Sequence, residues 1–234
     1  MGLTRILLAT ATLALIGACN DATPPDETNS DIRGRVVDAQ GQPVAGAAVV
    51  LQYATTPPMT GKQDKPQTQI EFDLRESGHL SVWISDYCDD STLRWLADGD
   101  YPAGTHAFTW NGLDDEGRIL PDGAYQCHVV TDDGERTWTL LLLFQEYGGF
   151  AADAAVAPLA VTDGGGRFTL AQACLPFGYV YEVENGLGEL VEVFTINRDV
   201  QVWAFSEDAG ASGSSAVVTV DPETGADITV TLDP

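Results

Sequence analysis

Positive charge is scarce in this chain. Its 234 residues hold 11 Lys and Arg against 35 Asp and Glu, and the two lysines, Lys62 and Lys65, both stand in a Pro-rich segment. A protein that neutralises phosphates needs clustered basic side chains, so nucleic acid is excluded as a partner. The acidity reads as solvation of a surface facing water. Long amphipathic helices are missing as well: glycine is plentiful, at 24 residues, and the apolar positions mostly alternate, as half-buried strands require. The fold class is therefore all-β. Recognisable chemistry is also lacking. His79, His106 and His128 sit in separate predicted strands, with no H-E-x-x-H or H-x-H spacing to support a zinc site. No G-x-S-x-G elbow occurs. Gly164-Gly165-Gly166 follows an aspartate and precedes a strand, so it lacks the helix N-terminus that would hold phosphate. The acidic pairs Asp89-Asp90, Asp114-Asp115 and Asp132-Asp133 fall in turns, where aspartate is favoured for local hydrogen bonds rather than for calcium. The sequence predicts no catalytic residue, no metal and no cofactor.

What is present begins at the N-terminus. Arg5 precedes an apolar run from Ile6 to Ile16, about half the roughly twenty residues that a membrane-spanning helix needs. Small residues, Gly17 and Ala18, close it, which marks a cleavable signal peptide over residues 1–18. Ile16-Gly17-Ala18-Cys19 resembles the bacterial lipobox. That resemblance implies that Cys19 is lipidated and becomes the new N-terminus, with the membrane as partner through its acyl chains. Residues 19–31 contain Pro, Asn and Asp and no large apolar side chain before Ile32, and read as a flexible tether. In lipoproteins of this kind Asp after the cysteine favours inner-membrane retention; Asn20 stands here, which leans toward the outer membrane.

Residues 32–51, IRGRVVDAQGQPVAGAAVVL, are two predicted strands around a turn made by Asp38, Gly41 and Pro43. Gly34, Val36, Asp38, Gly41, Pro43, Gly46, Ala47 and Val49 fit the opening pattern of the carboxypeptidase regulatory-like domain, a small transthyretin-like sandwich that this segment resembles. The family's next turns, T-D-x-x-G-x-F and L-P-x-G-x-Y, match Thr162 to Phe168 and Leu175 to Tyr179, a hundred residues late. This implies a discontinuous module of residues 32–54 plus 158–234. Two strands alone make no stable unit, so the first pair requires the later strands. Simple tandem domains are the alternative.

The intervening segment has its own pattern. Ala103, Gly104, His106, Trp110, Gly112, Asp114, Gly117, Leu120, Pro121, Gly123 and Tyr125 follow the core of the immunoglobulin-like domain of the flagellar hook-capping protein FlgD, which residues 67–146 resemble. The chain is thus expected to be two β-sandwich modules, one inserted into the other, and both resemblances imply modules without catalysis. Leu80, Val82 and Ile84 form an inward set, leaving Trp83 on the opposite parity; Trp95 stands opposite Leu96 in the same way. Trp83 and Trp95 are the candidate binding face for an unknown protein or glycan partner, and Asp114, Asp115 and Glu116 form a candidate acidic loop. His106 and Trp110 read as structural. In an oxidising compartment a disulfide is expected, with Cys88–Cys127 as the leading pairing and Cys174 left over. The predicted function is that of a non-catalytic, lipid-anchored interaction, adhesion or scaffolding protein, with a carbohydrate-binding accessory protein and a hydrolase as alternatives.

Overall fold

A computed structural model describes residues 30–54, 68–143, 156–184, 190–208 and 210–233. The signal peptide, Cys19, most of the tether and most of the two connecting segments lie outside the described residues. The architecture is all-β. Its strands are β1 (Ile32–Val37), β2 (Ala48–Tyr53), β3 (Thr68–Leu74), β4 (Gly78–Asp86), β5 (Thr92–Tyr101), β6 (Gly104–Trp110), β7 (Gly123–Thr131) and β8 (Gly134–Leu142). After these come β9 (Ala160–Val161), β10 (Arg167–Leu170), a 3-10 turn at Gln172–Cys174, β11 (Val180–Glu184), β12 (Leu190–Thr195), β13 (Asp199–Ser206), β14 (Ala211–Ser214), β15 (Val218–Thr219) and β16 (Ala226–Thr231). Among the described residues no helix is long and apolar enough to cross a membrane.

Pairing and core packing together separate the strands into two sets, with β11 and β12 forming an antiparallel pair of their own after residue 158. β1 lies between β10, antiparallel, and β16, parallel, with Gly34 opposite both Phe168 and Ile228. β2 pairs with β13 and β9, and β13 also carries β14 and β15. The strands before residue 54 therefore complete sheets with strands after residue 158. Their inward side chains, among them Ile32, Val36, Val49, Leu51, Val200, Val202, Val220 and Val230, are buried in one core. The second set is the β3–β6 pair and the four-stranded sheet β5-β4-β7-β8. Here alternation does the work expected of it. Leu80, Val82 and Ile84 of β4 join Tyr125, Cys127 and Val129 of β7, Ile70 and Phe72 of β3, and Trp110 in a second core.

Tight turns set the registers. At Asp38, Asp114 and Asp163 one carboxylate oxygen accepts the backbone N–H four residues on, at 2.8, 2.7 and 2.8 Å, and the glycine three residues on has positive φ. These are Gly41, Gly117 and Gly166, at φ 78°, 80° and 73°. Aspartate supplies the acceptor and glycine the left-handed backbone, so a D-x-x-G spacing folds the same way at all three sites. The Asp163 carboxyl lies below the usual carboxylate range because the Arg167 and Gly165 backbone N–H groups bind its charged form.

The disulfide differs from the expected pairing. Cys88 bonds to Cys174, not to Cys127, and so joins the two strand sets across 86 residues. Cys127 is a free, buried thiol. Its cross-strand partner on β4 is Ile84, and Cys88 lies four residues beyond Ile84, past the strand end. Cys127 faces the core of its own strand set, whereas Cys88 lies in the turn past the end of β4 and meets Cys174 there.

Candidate binding face

The outer face of the β5-β4-β7-β8 sheet is set by parity. Once Val82, Ile84, Cys127 and Val129 point into the core, Trp83 and His128 must point away from it. Trp83 is opposite Trp95 on β5 and His128 on β7, and His128 is opposite Thr137 on β8. An irregularity in the β4–β5 register between Val82 and Trp83 turns the two tryptophans to the same side. The result is an aromatic row. The Trp83 ring stacks on the His128 imidazole, centroids 4.8 Å apart and nearly parallel, and meets Trp95 on its other side at 5.3 Å. Trp95 ends the row with 45% of its surface exposed, while Trp83 is half-buried between its neighbours. Neither tryptophan belongs to a hydrophobic core cluster.

The other end of the same face is covered. Ala124 and Leu141, outward by parity, are buried against Tyr53, Ile196 and their neighbours in the first strand set. Around them Tyr179 donates to the Tyr87 hydroxyl at 2.5 Å, and the Cys88–Cys174 bond closes the junction. The neighbouring strand set therefore covers the Ala124–Leu141 end of this face and leaves Trp95 exposed.

His128 is 4% exposed and held on both ring nitrogens. Nε2 contacts Ser85 Oγ at 2.9 Å and Asp90 Oδ1 at 3.1 Å; Nδ1 contacts Glu135 Oε1 at 3.1 Å and Thr137 Oγ1 at 3.2 Å. Ser85, His128 and Glu135 are thus spaced like a nucleophile, a base and an orienting acid. Burial opposes that use. Ser85 is wholly buried and its Oγ is shared between His128 Nε2 and Asp90 Oδ1, each 2.9 Å away, so no substrate atom reaches the oxygen in this fold. The cluster fixes the turn after β4, where Asp90 takes φ 59°, and it backs the aromatic row. Sequence reasoning missed it. Its one signal was the outward parity of His128 beside Cys127 and Val129; the partners come from register, which residue pattern does not supply.

The predicted acidic loop resolves into three different roles. Asp114 is 3% exposed and receives the Arg118 backbone N–H and side chain, each at 2.7 Å. Asp115 accepts from the Trp95 backbone N–H at 3.3 Å and lies 3.4 Å from Arg94. Glu116 pairs with Arg118 at 2.8 Å. Asp114 therefore closes a turn, Asp115 ties that turn to β5 beside Trp95, and Glu116 is an exposed ion pair. Among the described residues no group of three or more His, Cys, Asp or Glu is placed to hold a metal. His106 donates to the Pro102 carbonyl, 2.8 Å away, and packs edge-on to Tyr101. Trp110 is buried and donates to the Leu113 carbonyl.

Comparison with known proteins bears on the segment that holds this face. The model of the FlgD Ig-like domain family matches residues 59–135. A crystal structure of FlgD from P. aeruginosa is similar at 23% identity, covering 42% of this chain and 72% of that one, with a TM-score of 0.26. No curated protein matches the chain. Residues 59–135, which contain β3 to β7 and the Trp83–Trp95 row, are a FlgD Ig-like domain.

Proposed function

We propose that this is an exported, non-catalytic lipoprotein, held at the outer membrane by lipid on Cys19, that presents the open end of the β5-β4-β7-β8 sheet to a binding partner. One observation carries the reading: Trp95 stays exposed at the end of a braced aromatic row, while the Ala124–Leu141 end of that sheet face is packed against the other strand set. A large, rigid aromatic surface held outside any core is an anchor for recognition. A lipid tether concentrates such a surface at a membrane, and two or more acyl chains hold it there. Adhesion or scaffolding at the cell surface or in the periplasm needs nothing more.

The first strand set fits a carboxypeptidase regulatory-like sandwich split by the FlgD Ig-like domain. Supporting this are the pairing of β1 with β10 and β16 and the matching turns at Asp38 and Asp163. A carbohydrate-binding accessory role is a second reading, because an exposed indole also stacks on sugar rings.

Two experiments test the proposal. Cys19→Ser should abolish incorporation of radiolabelled palmitate and move the protein out of the membrane fraction; unchanged retention rejects the anchor. For the face, the full chain and its Trp95→Ala variant are applied to arrays of immobilised peptides and oligosaccharides. Ligands retained by the wild type and lost by a variant with an unchanged unfolding midpoint support the reading. Identical binding by both rejects it.

A further inference from the structure

We infer that the ligand of this face is a cationic segment of a protein partner, whose arginine or lysine side chain lies on the Trp95 indole; the inference rests on the reading of that face as a binding surface. Its basis is charge. Asp98 stands opposite Ser81 on β5, Glu135 opposite Val130 on β8, and Asp90 over His128. All three are largely exposed, at 61, 56 and 70% of their side-chain surface.

No Lys or Arg stands among the residues that the pairing places on this side of β4, β7 and β8. The nearest cation, Arg94, is engaged by the Asp114 carbonyl and the Asp115 carboxylate. Asp98 accepts from Ser81 at 2.8 Å and contacts His79 at 3.0 Å. These contacts hold its carboxyl below the usual range.

An indole that shares its sheet face with carboxylates is where a guanidinium or ammonium gains most. The ring quadrupole attracts it over the indole, and the surrounding negative potential, in a chain of formal charge −24, steers it there. A neutral sugar would use the ring and gain nothing from the negative charge of the same face. Asp98 lies three residues from Trp95 along β5, about 10 Å at strand spacing. An extended peptide with basic residues two or three apart reaches both.

The test uses the purified full chain in detergent at about 150 mM salt, where diffuse attraction is largely screened. One probe is a blocked octapeptide of alternating glycine and arginine, and the other a neutral β-linked glucan hexamer. Binding is followed by tryptophan fluorescence and calorimetry. The peptide should bind saturably. Trp95→Ala, which leaves net charge unchanged, should weaken it about five- to tenfold, and Trp95→Phe should restore most of the loss. Asp98→Asn should weaken it about two- to threefold, while Asp208→Asn, an exposed acid of the first strand set, should not. Equal losses from Asp98→Asn and Asp208→Asn, or no loss from Trp95→Ala, mean nonspecific attraction and overturn the inference. If the glucan binds through Trp95 and the peptide does not, the cationic partner is wrong and the binding face stands. If neither depends on Trp95 here and the arrays also show no Trp95-dependent ligand, both readings fall.

Discussion

The tryptophans of the FlgD Ig-like domain occupy three environments, and truncation should rank them. Trp110 is buried and donates through its indole N–H to the Leu113 carbonyl; Trp110→Ala should cost about 3–5 kcal/mol. Trp95 is exposed, and Trp95→Ala should cost well under about 1 kcal/mol. Trp83 falls between, because removing it exposes one face of His128 and one face of Trp95. Urea unfolding of the three variants checks the order; a Trp95 loss equal to that of Trp110 would place Trp95 in the core. Alternation along β4 made the outward position of Trp83 legible in the sequence. It could not show that Trp83 is clamped on both sides, since His128 is 45 residues away and reaches it only through the β4–β7 register. Cys127 gives a second check at this scale. Burial pushes its thiol up from the ordinary 9.0 to about 12, so the native state holds a proton that the unfolded state releases. The resulting stability is complete below about pH 9 and declines as pH rises from there toward 12. Cys127→Ala should flatten that alkaline decline, measured by chemical unfolding across pH 8 to 11, and native Cys127 should resist alkylation until the chain unfolds.

Among the loops, the repeated D-x-x-G turn shows how far local pattern carries. The spacing alone identifies a reversal at Asp38, Asp114 and Asp163, because both requirements, a side-chain acceptor and a residue tolerating positive φ, are properties of single residues. It does not show which of these glycines is also crowded. Gly41 has φ 78° and open space where a Cβ would stand, whereas Gly166 has φ 73° and a Cβ there would lie 2.5 Å from the Val36 carbonyl oxygen. Gly41→Ala should therefore cost about 1 kcal/mol, the backbone term alone. Gly166→Ala must also part the turn from β1 and should cost about 1 kcal/mol more, or beyond. Denaturant midpoints of the two variants measure the difference, and equal losses would show that the turn at Gly166 yields without disturbing β1. The acidic loop illustrates the opposite limit. The sequence grouped Asp114, Asp115 and Glu116 by charge, while the fold separates them by direction: one into the turn, one onto the β5 backbone and one toward solvent.

At the scale of the whole molecule the two strand sets meet where Ala124 and Leu141 pack against the first core, Tyr179 donates to Tyr87, and Cys88 bonds to Cys174, and again where Ile119 bridges Val156 and packs on the cluster of Val50, Val156 and Phe205. The turn motifs displaced by a hundred residues made a long-range connection legible in the sequence. The correct disulfide was not, because pairing by shared module ignores that Cys88 sits in the turn beyond the end of β4, facing the neighbouring strand set, while Cys127 faces the core of its own. Tying residues 86 apart removes much unfolded-state freedom, and closure of a loop that long is worth about 4.5 kcal/mol. The double substitution Cys88→Ser with Cys174→Ser should lower stability by a similar amount. It should also uncouple the sets: calorimetry of the oxidised wild type should show one transition, and the variant two, since most buried apolar side chains of each set lie in its own core. Mass spectrometry of a non-reduced digest should first find the peptide of Cys88 linked to that of Cys174, with Cys127 modified only when alkylation follows denaturation. A Cys88–Cys127 link would remove the covalent tie between the sets. A single unchanged transition in the double variant would instead mean that noncovalent packing at the Ala124–Leu141 junction suffices to make the two sets unfold as one.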